Sequence, residues 1–152
     1  MNTGARVDLV PFEAHRLDAL VVMWRASFER AVGIVDPHPI AEQKDYFMAQ
    51  VLPQHDVRVA LLDGQLAGFV AASRESVTQL FVRIGLQRRG IGAQMLAWAK
   101  AQSAGSLWLY TFARNTGARA FYERHGFEAV AFGFEPHWQL DDVRYEWSAP
   151  AA

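Results

Sequence analysis

Arg88, Arg89, Gly90, Ile91, Gly92 and Ala93 stand where an apolar run, Leu80-Phe81-Val82, gives way through Gln87 to a helix-forming run. The first N–H groups of a helix have no intrahelical acceptor and carry the positive end of the helix dipole. Glycine at such a start has no Cβ, so an anion can come close to the main chain. Arg88 and Arg89 add charge at the rim. This arrangement suits the grip of a phosphate, above all a pyrophosphate. A purely structural reading also accounts for the glycines: Gly90 permits a tight turn and Gly92 permits close helix packing. A Walker loop would end in Gly-Lys-Ser/Thr, which is not present here. A dinucleotide fingerprint would need a third glycine where Met95 stands.

Asn115 and Tyr122 are the next candidates. Asn115 precedes a helix pattern and reads as an N-cap or as a ligand hydrogen-bonding group. Tyr122 lies at helical spacing from Ala118 and reads as a core ring or as a phenol able to give up a proton. The chain has no cysteine, which excludes disulfides, a thiolate nucleophile and sulfur-ligated zinc. No metal centre is expected. Fifteen Lys+Arg against sixteen Asp+Glu give a net charge of −1. That balance argues against a nucleic-acid coat, despite Arg83, Arg88, Arg89, Arg114, Arg119 and Arg124. No apolar run approaches the ~18 residues of a membrane span, and Met1 to Arg6 lead into no signal-peptide core. The expectation is a soluble cytoplasmic protein without membrane or nucleic-acid partners.

These residues need elements to hold them. At 152 residues and 51% hydrophobic content the chain suits one domain with a sizeable core. Val7 to Pro11 reads as a strand. Ala14 to about Ala31 reads as a helix on an apolar stripe of Leu17, Leu20, Val21, Trp24, Phe28 and Ala31, stopped by Gly33. Ile40 to Leu52 is a second helix, ending at Pro53. Val57 to Leu62 and Gln65 to Ala72 form a hairpin about Asp63-Gly64, and Ser76 to Arg83 is a third strand. A helix follows from about Gly90 to Ser103, with Ile91, Met95, Trp98 and Ala99 on one face. Leu107 to Phe112 is apolar on both faces and reads as interior to the sheet. Asn115 to His125 is a helix stopped at Gly126. Phe127 to Phe134 and Val143 to Trp147 are the last strands. The order βαα-βββ-α-β-α-ββ predicts an α/β domain, a sheet with helices on its faces.

Two blocks carry a family resemblance. Gln87-Arg88-Arg89-Gly90-Ile91-Gly92 resembles the Gln/Arg-x-x-Gly-x-Gly/Ala signature of the GNAT superfamily, the GCN5-related N-acetyltransferases. Asn115, Ala118, Phe121-Tyr122-Glu123 and Gly126-Phe127 resemble that family's Asn-x-x-Ala-x-x-Phe-Tyr-Glu-x-x-Gly-Phe motif. The motifs span about residues 56 to 128, and the element order resembles the family's over nearly the whole chain. One departure is Ile84-Gly85, where many relatives carry a Pro-acid pair; the loop length is kept.

The resemblance implies a single GNAT domain over residues 1–152. Its sheet would be mixed, mostly antiparallel and flanked by helices, with splayed strands near the middle. It implies acetyl-CoA as co-substrate. The pyrophosphate would lie on the amides from Arg88 to Ala93, and the pantetheine would pair along Leu80, Phe81 and Val82. Gln87, Asn115 and Tyr122 would also border the coenzyme. The Leu80 N–H would face the acetyl carbonyl as an oxyanion donor, and Tyr122 would protonate the leaving thiolate. The acceptor would be a primary amine of a small molecule or protein, bordered by Trp24, Phe28, His38, Phe134, His137 and Trp138. Asp36 and Tyr46 lie in the same segments. Cation–π and ion-pair contacts there suit an amine with an apolar body. A general base is not singled out. The family position four residues before Leu80 is Ser76, Glu75 is one residue off, and Asp36, His38, Glu135, His137 or a water chain are alternatives. The absence of cysteine fits direct transfer. The competing expectation is a non-catalytic acyl-CoA-binding, regulatory module. Relatives often dimerise, so a homodimer pairing through the last strands is also an expectation.

Overall fold

The computed structural model describes residues 6–151; Met1 to Ala5, part of the segment read for a signal peptide, lie outside them. The chain runs β1 (Asp8–Pro11), α1 (Leu17–Val32), α2 (Ile40–Tyr46), β2 (Asp56–Leu62), β3 (Gln65–Ala72), β4 (Val77–Val82), α3 (Ile91–Gln102), β5 (Ser106–Phe112), α4 (Thr116–Arg124), β6 (Glu128–Glu135) and β7 (Leu140–Ser148). This is the order read from the sequence. The strands form two antiparallel sheets, β1-β2-β3-β4 and β5-β7-β6.

Alternation along β3 explains why it is apolar from Leu66 to Ala72. Phe69 and Ala71 face a core with Leu20, Val21, Trp24 and Phe47 from the α1–α2 side. Val70 and Ala72 face the opposite core, with Met95, Leu96, Leu109, Phe127 and Tyr145. Successive strand side chains point to opposite faces, so a strand covered on both sides must be apolar throughout.

The two sheets meet at a single parallel bridge between Ser76 and Trp108, where the Trp108 N–H donates to Glu75 O at 2.9 Å. Beyond it β4 pairs only with β3 and β5 only with β7. The expected splay in the middle of the sheet is therefore present. β4 also carries a bulge: Ala72 pairs with Val77 but Ala71 with Gln79, leaving Thr78 as the extra residue. A bulge shifts the phase of a strand. Hence Val77, Leu80 and Val82 pack in the α3 core, while Phe81 packs in the α1 core.

Three details differ from the sequence reading. β5 is interior only through the Ser76 bridge; its ladder is to β7 alone, and Tyr110 is exposed although Leu107 and Leu109 are buried. The α1 stripe ends on buried Val32, not Ala31, because the helix runs one residue further before Gly33. The second helix is α-helical only to Tyr46. It widens to a π-turn over Phe47–Val51 and then tightens to a 3-10 turn over Leu52–Gln54, which accommodates Pro53 near its start.

Candidate functional site

The loop from β4 to α3 is built as the glycine spacing suggests. Arg88 (φ 66) and Gly90 (φ 80) take the left-handed conformation on either side of Arg89. Such alternation turns successive N–H groups to one side and makes an anion-binding hollow. Gly90 precedes the first helical residue, and no side chain caps the α3 start. Its first amides are thus free of intrahelical partners. Arg88 and Arg89 are exposed beside it. Gln87 braces the loop: Gly85 N–H donates to its Oε1 at 2.9 Å, and its Nε2 donates to Val82 O at 3.2 Å. Gly92 serves helix packing, as the structural reading required. A Cβ there would lie 3.3 Å from the Phe121 ring of α4.

The loop leads back into an open strand edge. In an antiparallel pair, alternate residues bond to the partner strand. The Arg83 N–H donates to Ala67 O at 2.8 Å, so Phe81 also faces β3, while Leu80 and Val82 turn their N–H and C=O groups toward the gap. The Val82 carbonyl accepts from Ser27 Oγ at 3.0 Å and from Gln87. Among the described residues that leaves the Leu80 amide and carbonyl and the Val82 amide available along the gap.

Tyr122 sits on α4, 8% exposed, against the rings of Phe121, Phe127 and Tyr145. It shares the core that receives Leu80 and Val82. Burial pushes its phenol well above the ordinary tyrosine value, so it holds its proton as an acid must. Asn115 caps α4, its Oδ1 accepting from the Ala118 N–H at 3.1 Å, and it also lines the cavity described next.

A cavity of about 710 Å³ opens on the other side of β4 and β5. Trp24, Phe28, His38, His137 and Trp138 line it together with Asp36 and Tyr46, so distant segments expected at the acceptor site converge. Trp138 packs on Phe28 at 5.2 Å and His38 stacks on His137 at 5.3 Å. Glu135 fixes the hairpin turn by accepting the Trp138 N–H at 2.6 Å. Phe134 does not line the cavity. Strand alternation turns Glu135 inward and leaves Phe134 on the outer face, 59% exposed. Ser76 is also outside it, sealed at 5% exposure and bonded to Ser73 Oγ; Glu75 is exposed on the surface and likewise not in the wall.

The sequence reading missed Thr78, Gln79, Tyr110, Thr111, Glu42 and Asp142 in the wall. The bulge at Thr78 has no sequence signal, and the others carry no motif. It also missed Arg25, whose Nε lies 3.3 Å from Asp36 Oδ2. An arginine on an apolar helix stripe beside Trp24 was the available hint. Of the other arginines, Arg83 donates to Leu66 O and Arg119 to Tyr145 Oη. Among the described residues no His, Cys, Asp or Glu group is arranged to hold a metal ion, and no helix is long and apolar enough to cross a membrane.

Two antiparallel sheets spreading from one bridge, with an uncapped helix start at the end of the opened strand, define an acetyltransferase fold of the GNAT class. The chain belongs to that family: the acetyltransferase (GNAT) domain model matches residues 53–129, half of its length. Solved structures share the fold. A GCN5-related N-acetyltransferase from Rhodopseudomonas palustris is 18% identical with a TM-score of 0.80, over 97% of this chain and 98% of that one. The PaiA N-acetyltransferase of Thermoplasma acidophilum, solved with coenzyme A, is 17% identical with a TM-score of 0.74, over 94% and 99%. YncA of Salmonella typhimurium, a putative acetyltransferase solved with acetyl-CoA, is 13% identical with a TM-score of 0.71, over 96% and 95%. No curated protein sequence matches the chain.

Proposed function

We propose that residues 1–152 act as one catalytic domain that transfers an acetyl group from acetyl-CoA directly to a primary amine. The observation that carries this reading is the open edge at Leu80 and Val82, which runs straight into the uncapped amides of α3. An extended pantetheine can add to that edge like a strand while its pyrophosphate meets the amides from Arg88 to Ala93. Neighbours of the same fold carry coenzyme A and acetyl-CoA, which supports the choice of ligand.

The chemistry follows from two sides of one gap. Leu80 and Tyr122 belong to the α3 side and Phe81 to the cavity side. A thioester threaded between β4 and β5 offers its carbonyl to the Leu80 N–H, a donor for the developing oxyanion. Tyr122 supplies a proton to the departing thiolate. The amine enters through the aromatic cavity. Asp36, Glu42, Glu135 and Asp142 line it, and among the described residues no lysine or arginine does. That lining favours a cationic amine with an apolar body and disfavours one carrying a carboxylate.

The test is thiol release from acetyl-CoA with 2-phenylethylamine, spermidine and free phenylalanine as acceptors, alongside calorimetry with coenzyme A. Release with the carboxylate-free amines supports the proposal. Coenzyme binding without release for any amine would leave a binding module.

A further inference from the structure

Asp36 and His38 form a built arrangement inside the cavity wall, and the transfer reaction as described leaves it unused. The His38 Nδ1 lies 2.6 Å from Asp36 Oδ1, which also accepts the His38 backbone N–H at 2.9 Å. Asp36 is held in turn. Arg25 Nε stands 3.3 Å from its Oδ2, and the Arg25 guanidinium donates to the carbonyls of Asp36 and His38 at 3.4 and 2.6 Å. The Asp36 N–H donates to Glu29 Oε2 at 2.7 Å. The loop between α1 and α2 is thus clamped to α1 by charged groups at both ends. The His38 ring is fixed further by stacking on His137 and by the edge of Trp138 at 5.5 Å. Asp36 is nearly buried, 9% exposed at its side chain. Desolvation works against its charge, but the His38 hydrogen bonds and the Arg25 guanidinium outweigh this and hold its carboxyl below the usual range.

We infer that His38, oriented by Asp36, is the general base that deprotonates the acceptor ammonium. A carboxylate on Nδ1 fixes the tautomer and leaves the Nε2 lone pair free. No hydrogen bond engages that Nε2 among the described residues, and His38 lines the cavity. This assignment rests on the acetyltransferase reading. The ammonium gives one proton to Nε2, and the freed nitrogen pair forms the C–N bond at the thioester carbon. The C–S pair leaves with sulfur, which takes the Tyr122 proton. The new amide nitrogen sheds its second proton, which restores the phenol, and His38 passes its proton to water at the cavity mouth.

Other titratable groups line the cavity: Glu42 and Tyr46 from the α2 side, Tyr110 from β5, Glu135 and His137 from the β6–β7 hairpin, and Asp142 from β7, while Arg25 and Glu29 of α1 hold Asp36 from behind. They set the local field around His38, and the His38 and His137 variants separate its contribution from theirs. The measurement is kcat/KM against pH with 2-phenylethylamine and acetyl-CoA, for the wild type, His38→Gln, His38→Ala and His137→Gln. The expected result is a loss of about 100-fold in His38→Gln, the lower range for general-base catalysis. One acid limb of the profile should vanish with it, and coenzyme A affinity should stay unchanged. Added imidazole should restore part of the rate to His38→Ala. His137→Gln should retain the limb, whatever its effect on KM. A His38→Gln enzyme with wild-type kcat/KM at every pH, or a His38→Ala enzyme that folds and binds coenzyme but ignores imidazole, overturns the dyad alone. A wild type that releases no thiol with any amine overturns the acetyltransferase reading, and the dyad with it.

Discussion

Gly92 of α3 and Phe121 of α4 are in contact so close that a Cβ at 92 would stand 3.3 Å from both Cε1 and Cζ of the ring. Glycine there lets the helix that begins after the β4–α3 loop seat directly on the helix that carries Tyr122. Gly92→Ala asks the ring to shift by a few tenths of an ångström. Gly92→Val asks for more and forces the helices apart, an overpacking change costing about 1–3 kcal/mol. Urea titration should show that loss for the valine variant and a smaller one for alanine, and calorimetry should show weaker coenzyme binding in the same order.

Tyr122→Phe separates chemistry from packing. The hydroxyl makes no hydrogen bond among the described residues, and the ring contacts survive the substitution. Stability and coenzyme affinity should therefore stay near wild type, while kcat falls by about 100-fold, as for loss of a general acid. Equal turnover in the two proteins would remove Tyr122 from its assigned role.

Alkaline stability should depend on two buried phenols. Burial raises the folded-state pKa of Tyr122, and burial with the Glu123 hydrogen bond raises that of Tyr145, from the ordinary value of 10.0. A group whose folded pKa is raised adds stability that is complete below the unfolded value and is lost as pH climbs through the folded one. The unfolding free energy should fall above pH 10, and less steeply in Tyr122→Phe. Absorbance at the tyrosinate band during alkaline unfolding measures this.

Arg88 and Arg89 are exposed in the β4–α3 loop. The double substitution Arg88→Glu with Arg89→Glu should weaken coenzyme A binding by about tenfold, or ~1.4 kcal/mol. The deficit should shrink in high salt, because exposed charges are screened. The melting temperature should barely move, since neither side chain has a packing role.

Trp138 covers the cavity against Phe28 and His38. Trp138→Ala should raise KM for an aromatic amine by about tenfold, ~1.4 kcal/mol, with a smaller effect on spermidine. Coenzyme affinity should be unaltered, because the cavity lies across β4 from the Leu80 side. Steady-state kinetics with the two amines distinguishes these effects.

Local sequence determined what depends on neighbours in the chain. Helices and strands followed from apolar spacing at periods of 3.6 and 2, and the turn at Asp63-Gly64 takes the positive φ values that its residue types favour. The left-handed turn at Gly90 before α3 was legible from its residue type, and Asn115 was legible as a cap because capping is a contact three residues long. Tertiary structure decided the rest. The bulge at Thr78 re-phases β4 so that Val77 shares the face of Leu80 and Val82, and no residue type announces it. The position of β5 depended on a single bridge to a strand 32 positions earlier. Arg25, Asp36 and His38 became one unit only when the loop folded back on α1. Hydrophobic periodicity states which face of an element is buried, but which partner buries it, and which charges meet there, depends on the packing of segments far apart in the chain.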